Sequence, residues 1–293
     1  MYMIRYVKRV DLNVEKYDVC VERSLNSRIY AYSWYLDIVA DNWDALILND
    51  YEAVMPLPWR SKYFIKYIYP PCWTQQLGIF ASFKITSDWT LKFVKSIPKK
   101  FKKVTIAFNS ENDCTGLKVK KKNNYILDLN RPYEELYKNY RKGRKAKLKQ
   151  AKRSELYIKE IPIKTLIEYS KMFYKNIGFK ELDYLKLSIL CEELILKNRG
   201  KLEGVFAADG ELLGGVLFLF EDKRITYLLS AFSPKGKNHQ ATCFLIDKKI
   251  KQFVNRDLLF DFEGSMVDGI AFFFKTFGSS KENYSSYTKN KFL

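Results

Sequence analysis

Histidine is almost absent: His239 is the single one in 293 residues. No Ser-His-Asp set and no metal cluster at recognisable spacing can be assembled around it, which disfavours hydrolase and metalloenzyme readings. Its place in a first helical turn suits a surface or capping role. Cysteine is sparse and unpatterned. Cys20, Cys72, Cys114, Cys191 and Cys243 form no Cys-x-x-Cys, so neither a zinc site nor a disulfide framework is expected, and a reduced cytoplasm is the natural compartment. Long apolar runs are missing as well. The beginning, Met1 to Lys8, has no long apolar core, and Val216 to Phe220 is far too short to cross a bilayer, so no signal peptide or transmembrane segment is expected.

What the chain does contain is a globular share of hydrophobic residues, 47%, over a length that suits one large or two ordinary domains. Its formal net charge is +18, which argues for an anionic partner such as RNA, a nucleotide, coenzyme A or a membrane surface. Lysine far outnumbers arginine, and Ile, Asn and Tyr are plentiful. Codon bias alone produces that pattern, so where the charge sits matters more than its sum.

The organising stretch is Lys223 to Gly278. Its periodicity predicts a strand at Ile225 to Phe232, a loop Ser233-Pro234-Lys235-Gly236-Lys237, a helix from about Asn238 to Asn255, a strand Leu258 to Phe262 and a second helix carrying Ile270 to Lys275. A strand, a crossover helix and a strand make a βαβ unit. Such a unit puts the loop and the residues after the second strand at one carboxyl edge, where open α/β sheets bind ligands. The first half predicts a similar order. It has a strand at Met1 to Lys8, a helix at Asn13 to Ser24 and a hairpin of Asp44 to Leu48 with Ala53 to Leu57, whose Pro56 and Pro58 place that strand's end at a sheet edge. Then come a strand at Lys62 to Tyr69, a loop Pro70 to Gly78, a helix Ser87 to Lys95 capped by Ser87 and a strand Lys103 to Phe108. The hairpin, strand, loop, helix and strand recur from Val205 to Phe262, which reads as a divergent duplication. A strand at Tyr125 to Leu129 leads to the boundary, near Asn130: domain one is 1–130, domain two 131–293, opening with a basic linker helix at 132–153.

Asp261-Phe262-Glu263-Gly264-Ser265, followed by Gly269-Ile270-Ala271-Phe272-Phe273-Phe274-Lys275-Thr276-Phe277-Gly278, resembles the carboxyl-terminal signature of Fem-type aminoacyl (peptidyl) transferases and their GNAT-like acyltransferase relatives. The resemblance implies a mixed α/β (α+β) fold of two tandem GNAT-like domains, each a mainly antiparallel mixed sheet flanked by helices. It also implies transfer of an acyl group to an amine. In such proteins a Phe-Lys pair at the position of Phe274 and Lys275 lies by the donor. The basic run Tyr140 to Ala146 resembles the helix that precedes their second domain. GNAT enzymes cradle the coenzyme A pyrophosphate in the loop matching Ser233, Lys235, Gly236, Lys237 and Asn238. The acetyl-CoA pattern of that family, Gln or Arg, two residues, Gly, one residue, Gly or Ala, is missing here, which suits a Fem-type enzyme with another donor.

The residues themselves suggest roles. Lys275 follows one of the most apolar stretches in the chain, and a cation embedded there can stabilise an oxyanion; a snorkelling lysine is the plain alternative. Glu263 follows a buried strand and can take a proton from an attacking amine, or serve as a loop carboxylate. Trp73, Gln75 and Gln76 can line a cleft, or simply close a loop. From Lys138 to Arg153 there are nine basic residues and no acidic one. That run makes either a solvated linker helix or a phosphate groove to which Arg144 contributes. Gly143, taken as a helix-interior glycine, suggests close backbone approach. The expected protein is an N-acyltransferase with no tightly bound cofactor. Its donor is acyl-CoA or aminoacyl-tRNA, and its acceptor a small amine or a cell-envelope precursor. The alternative is a non-catalytic binder of RNA or another polyanion on the same fold.

Overall fold

The computed structural model describes residues 2–174, 178–264 and 266–290. Its elements in chain order are β1 (Ile4–Lys8), α1 (Val14–Arg23), α2 (Ser33–Val39), β2 (Asn42–Leu48), β3 (Ala53–Lys62), β4 (Ile65–Ile68), β5 (Phe80–Ala81), α3 (Ser87–Lys95), β6 (Phe101–Phe108) and β7 (Val119–Asp128). They continue with α4 (Tyr133–Asn139), α5 (Lys142–Arg153), β8 (Tyr157–Glu160), α6 (Ile163–Phe173), α7 (Glu181–Leu196), β9 (Gly200–Phe206), β10 (Leu212–Phe220) and β11 (Arg224–Phe232). The last are α8 (Pro234–Asn238), α9 (Ala241–Phe253), β12 (Leu259–Asp261), α10 (Asp268–Lys275) and β13 (Ser280–Asn290). Two compact units result. One runs to Lys122 and regains the chain from Asn283; the other is Asn123–Glu282. The division falls inside β7 and inside β13, whose residues from Asn283 belong with the first unit.

In the first unit the strands run β1-β2-β3-β4-β6-β13, with β5 beside β3. Neighbours are antiparallel except β4 and β6. That parallel pair is joined through α3, because parallel neighbours need a crossover. Met55, Leu57, Phe93, Phe101, Val104 and Phe108 form the core. Pro56 and Pro58 are not at a sheet edge, as their sequence suggested. They lie on β3 between its pairing with β5 at Ala53 and Val54 and its pairing with β4 from Trp59 onward. The missing N–H groups fall where that flank has no strand. The α3 cap also differs from expectation: Thr86, without a side-chain bond, holds the N-cap position, and Ser87 is already helical.

In the second unit the order is β7-β12-β11-β10-β9-β8, and the parallel pair is β11 and β12, joined through α9. Both units thus carry a hairpin, a strand, a crossover helix and a parallel strand. Phe218, Ile246, Ile250, Phe260, Phe262, Phe274 and Phe277 fill this core. The expected linker helix is two helices. Tyr140 and Arg141 adopt extended backbone, with ψ of 136° and 148°, between α4 and α5. The buried face Leu136, Tyr140, Arg144, Leu148 and Ala151 survives the break. Gly143 therefore stands in a first turn, not in a helix interior, and a Cβ there meets nothing within 4 Å. No close approach explains it.

Candidate functional site

The site is assembled where β11 and β12 part. They pair over three positions, Arg224 with Leu259, Ile225 with Phe260 and Thr226 with Asp261. Then β12 ends, while β11 runs on to Phe232 against β10 alone. Leu228 is an extra residue in that ladder, since Leu217 faces Leu229 and Phe218 faces Tyr227. A bulge of this kind bends a strand and raises its twist. The base of the gap is aromatic. Phe274 meets Tyr227 at 6.2 Å and Phe262 at 4.9 Å between ring centroids.

Past the end of β11 the chain makes α8 and then α9. Ser233 caps α8: its Oγ accepts from the Gly236 N–H at 3.0 Å and donates to the Leu213 carbonyl at 3.2 Å. Gln240 then takes left-handed backbone, φ 61°, and starts α9 without a side-chain cap. The first backbone bond into α9 is Phe244 N–H to Gln240 O, 3.0 Å. The N–H groups of Ala241, Thr242 and Cys243 therefore have no backbone acceptor, as first-turn donors of a helix do not. Their partial positive charge is what anions seek at helix starts.

Arg144 comes to this turn from α5. It is 4% exposed, yet no carboxylate among the described residues pairs with it. Its Nε donates to Thr276 Oγ1 at 2.8 Å, a second guanidinium nitrogen donates to Cys243 Sγ, and its plane lies 4.3 Å from the Phe273 centroid and 4.5 Å from that of Phe277. Burial pulls the guanidinium below the usual arginine range, partly offset by Cys243. It stays protonated, since an arginine does not lose its proton in proteins. The Cys243 thiol is pushed up by burial, with Arg144 opposing, so it is a poor thiolate and acts here as a hydrogen-bonding group. Arg141, at the α5 N-cap, donates its N–H to the Thr276 carbonyl at 3.0 Å and lies 4.9 Å from the Phe272 centroid. Two guanidinium groups thus stack on three rings at the end of α10.

No protein-family model matches the chain, and no curated protein matches it. Solved structures do. FemX aligns with a TM-score of 0.68 at 12% identity, over 97% of this chain and 96% of its own. A tandem GNAT protein from the clavulanic acid biosynthesis pathway aligns at 0.56 and 9% identity, over 99% of each chain. L-PGS from Bacillus licheniformis aligns at 0.55 and 14%, over 94% of this chain and 91% of its own. The chain has a Fem-like fold of tandem GNAT type. At such identities the likeness is one of fold.

Within this Fem-like fold the signature is largely architectural. Asp261 is buried against Arg224 at 2.5 Å, and Arg224 also reaches Glu282 at 3.1 Å. Burial disfavours the Arg224 charge, but the two carboxylates hold its pKa above the usual range. Gly264, at φ 53°, passes so close to β7 that a Cβ would lie 2.2 Å from the Asn123 carbonyl oxygen. Ser265 lies outside the described residues. Glu263 is half-buried with left-handed backbone, φ 55°, and its N–H is bound by Asp261 at 2.8 Å. Phe274 is buried in the aromatic base, as an apolar helix face requires. Lys275 is not embedded: it is exposed in the last turn of α10, its ammonium 5.5 Å from the Tyr125 centroid, and Phe272 beside it is 55% exposed. Only Ala271 and Phe274 of that helix are buried.

The expected loop from Ser233 to Lys237 is mostly the helix α8, and its N–H groups bond internally, Lys237 to Ser233 O and His239 to Lys235 O. Asn238 ends α8; it does not cap α9. Lys235 is tied to Glu211 and Asp209, and Lys237 lies 4.7 Å from the Tyr174 centroid. Gly236 packs on β10, where a Cβ would come 2.3 Å from the Leu213 carbonyl oxygen. Gly236→Ala is therefore expected to cost about 1–3 kcal/mol in urea unfolding, as overpacking does, by forcing α8 off Leu213. In the first unit Gln76 is buried. Its side chain donates to Gln75 Oε1 at 2.6 Å and accepts from the Ser110 N–H at 3.1 Å. Trp73 is buried with left-handed backbone, and its carbonyl accepts from Tyr35 Oη. Gln76 and Trp73 knit loops together, while Gln75 borders a small cavity with Pro56, Pro58 and Tyr69. His239 faces Ser154 Oγ at 3.2 Å.

The uncapped start of α9 was not singled out from sequence, and Phe273 and Phe277 were named there within the signature but given no role. Cys243 followed by helical periodicity marked the helix, but nothing in a one-dimensional pattern tells that its first turn lacks a cap. The described residues contain no group of three His, Cys, Asp or Glu able to hold a metal, and no helix among them is long and apolar enough to cross a membrane.

Proposed function

We propose that the protein is an N-acyltransferase whose donor, acyl-CoA or aminoacyl-tRNA, places a phosphate at the first turn of α9. The observation that carries this reading is Arg144, a buried cation with no acidic partner among the described residues, directed at a helix start whose first N–H groups have no backbone acceptor. Burying an unpaired charge is unfavourable, so a site of this kind is completed by an anion. The gap between β11 and β12 then receives the acyl arm. A neutral amine attacks the thioester or ester carbonyl, forming a C–N bond. The tetrahedral intermediate collapses with cleavage of the C–S or C–O bond, and the departing group leaves with a proton. Catalysis is chiefly positioning and charge stabilisation.

In this reading Glu263, after β12, accepts the amine proton, and Lys275 supplies a cation to the oxyanion. Exposure of Lys275 makes the test clean: Lys275→Met should leave the melting temperature unchanged while lowering the maximal rate roughly a hundredfold. Wild-type turnover in that variant removes Lys275 from the reaction. The acceptor is a small amine or an amine-bearing cell-envelope precursor.

A polyanion-binding reading has an observation of its own, since Lys142, Lys147, Lys149, Lys152 and Arg153 are exposed on α5 and none is in an ion pair among the described residues. Ionic strength separates the two. Many phosphate contacts give an affinity that falls steeply with salt, whereas a single coenzyme gives a shallow slope. Measured acyl transfer from coenzyme A thioesters or charged tRNA to an amine decides for the enzyme.

A further inference from the structure

The hairpin joining β3 and β4 has a two-residue loop, since Lys62 pairs with Ile65. The loop is Tyr63-Phe64, with φ of 49° and 63°. Left-handed backbone at both positions is the type I′ geometry for which Asn-Gly is the favoured pair. Two bulky aromatics here are unfavourable for the backbone. Nor does packing compensate: Tyr63 is 82% exposed and Phe64 fully so, with Ile65 partly exposed beside them. An apolar, convex tip that is both strained and solvated calls for a partner.

The surroundings are basic. No acidic residue occurs between Glu52 and Asp88, or between Asp88 and Glu111, while the second interval holds Lys92, Lys95, Lys99, Lys100, Lys102 and Lys103. The sheet brings these beside the hairpin, because Lys66 on β4 is in register with Phe101 on β6. Lys100 lies 4.3 Å from the Tyr6 centroid. Burial, and after it the neighbouring Lys66 and Lys8, pull its ammonium below the usual lysine range against the opposing pull of Asp44. Next to this cluster a cavity of about 440 Å³ is floored by Val94, Ile97, Val104 and Tyr287 and edged by Lys95, Lys99, Lys102 and Lys289. None of the lysines at positions 62, 66, 95, 99, 100, 102, 103 and 289 is in an ion pair among the described residues.

We propose that this end of the first unit docks on the surface of an anionic bilayer, with Tyr63 and Phe64 inserted at the headgroup level and the lysines against the lipid phosphates. Aromatic side chains with basic neighbours are the pairing that membrane interfaces select. A convex tip inserts into a lipid interface without needing a complementary groove. The charge, mostly of one sign despite Asp44 beside Lys100, matches anionic headgroups.

The test is co-sedimentation of the full chain with vesicles of phosphatidylcholine alone and of an equal mixture with phosphatidylglycerol. Wild type should pellet with the mixed vesicles only. Tyr63→Asn with Phe64→Gly installs the turn's preferred pair, so its melting temperature should hold or rise while vesicle affinity drops about tenfold or more. Lys62→Gln, Lys66→Gln and Lys99→Gln should each weaken binding by about fivefold, the effect of one basic residue near an anionic surface. Equal pelleting of the turn variant, no pelleting of wild type, or equal pelleting with pure phosphatidylcholine each overturns the proposal. So does retention by single-stranded RNA, lost with the same turn replacement, in the absence of vesicle binding.

Discussion

Arg144→Met is expected to raise the melting temperature by about 2–4 °C, the shift that roughly 1 kcal/mol produces in a unit of this size, and to weaken donor binding about a hundredfold. The opposite signs follow from the environment. Arg144 is buried with neutral partners only, so the folded state carries a desolvation cost that no carboxylate offsets. Replacing a buried charge by an apolar group of similar volume is neutral to stabilising when it orphans nothing. Little is orphaned here. Thr276 Oγ1 still donates to Phe273 O, Cys243 Sγ still has Gln240 Oε1 at 3.6 Å, and a methionine packs well against Phe273 and Phe277. An anion at the first turn of α9 would lose its charge-assisted bond, and losing such a bond in a desolvated setting typically costs about 2–5 kcal/mol. Thermal unfolding and a donor titration read the two effects separately. A fall of several degrees would assign Arg144 to architecture.

Arg224→Met should do the reverse, destabilising the second unit by about 3–5 kcal/mol in urea unfolding. Arg224 holds two carboxylates, Asp261 at 2.5 Å and Glu282 at 3.1 Å, and all three side chains are largely buried. Removing the cation leaves two like charges facing each other in a poorly solvated place. The control is the triple replacement Arg224→Met, Asp261→Asn, Glu282→Gln. It removes every charge, keeps an oxygen at residue 261 for the Glu263 N–H, and should recover most of the loss. If the single and triple variants unfold alike, the triad is not what holds β11 to β12.

The two arginines show how far the sequence could be read. Elements that bury one face were legible, because Leu136, Tyr140, Arg144, Leu148 and Ala151 repeat at helical spacing and β11 is an apolar run. The kink at Tyr140 and Arg141 was not, since no proline or glycine marks it; Thr276, distant in sequence, fixes it by accepting the Arg141 N–H. Strand β13 escaped notice because its residues, Ser280 to Asn290, are mostly polar, and its place beside β6 depends on pairing across 177 positions or more. The signature at Asp261 to Gly278 spans the end of β12 and all of α10. Apolar neighbours in sequence suggested an embedded Lys275, whereas a helix turns residues three or four apart to the same side, and Phe272 and Lys275 both face solvent. Ser233 to Lys237 looked like an anion-binding loop and folds as a capped turn of helix, because Ser233 with Pro234 is a helix-start pair. The uncapped helix start lies a few residues later.

A crystal structure of the protein with bound coenzyme A would locate the donor's phosphates relative to the start of α9. Phosphate oxygens are expected within hydrogen-bond reach of the Ala241, Thr242 and Cys243 N–H groups, with the Arg144 guanidinium turned toward them. A coenzyme bound with its phosphates elsewhere, and that first turn left without an anion, would contradict it.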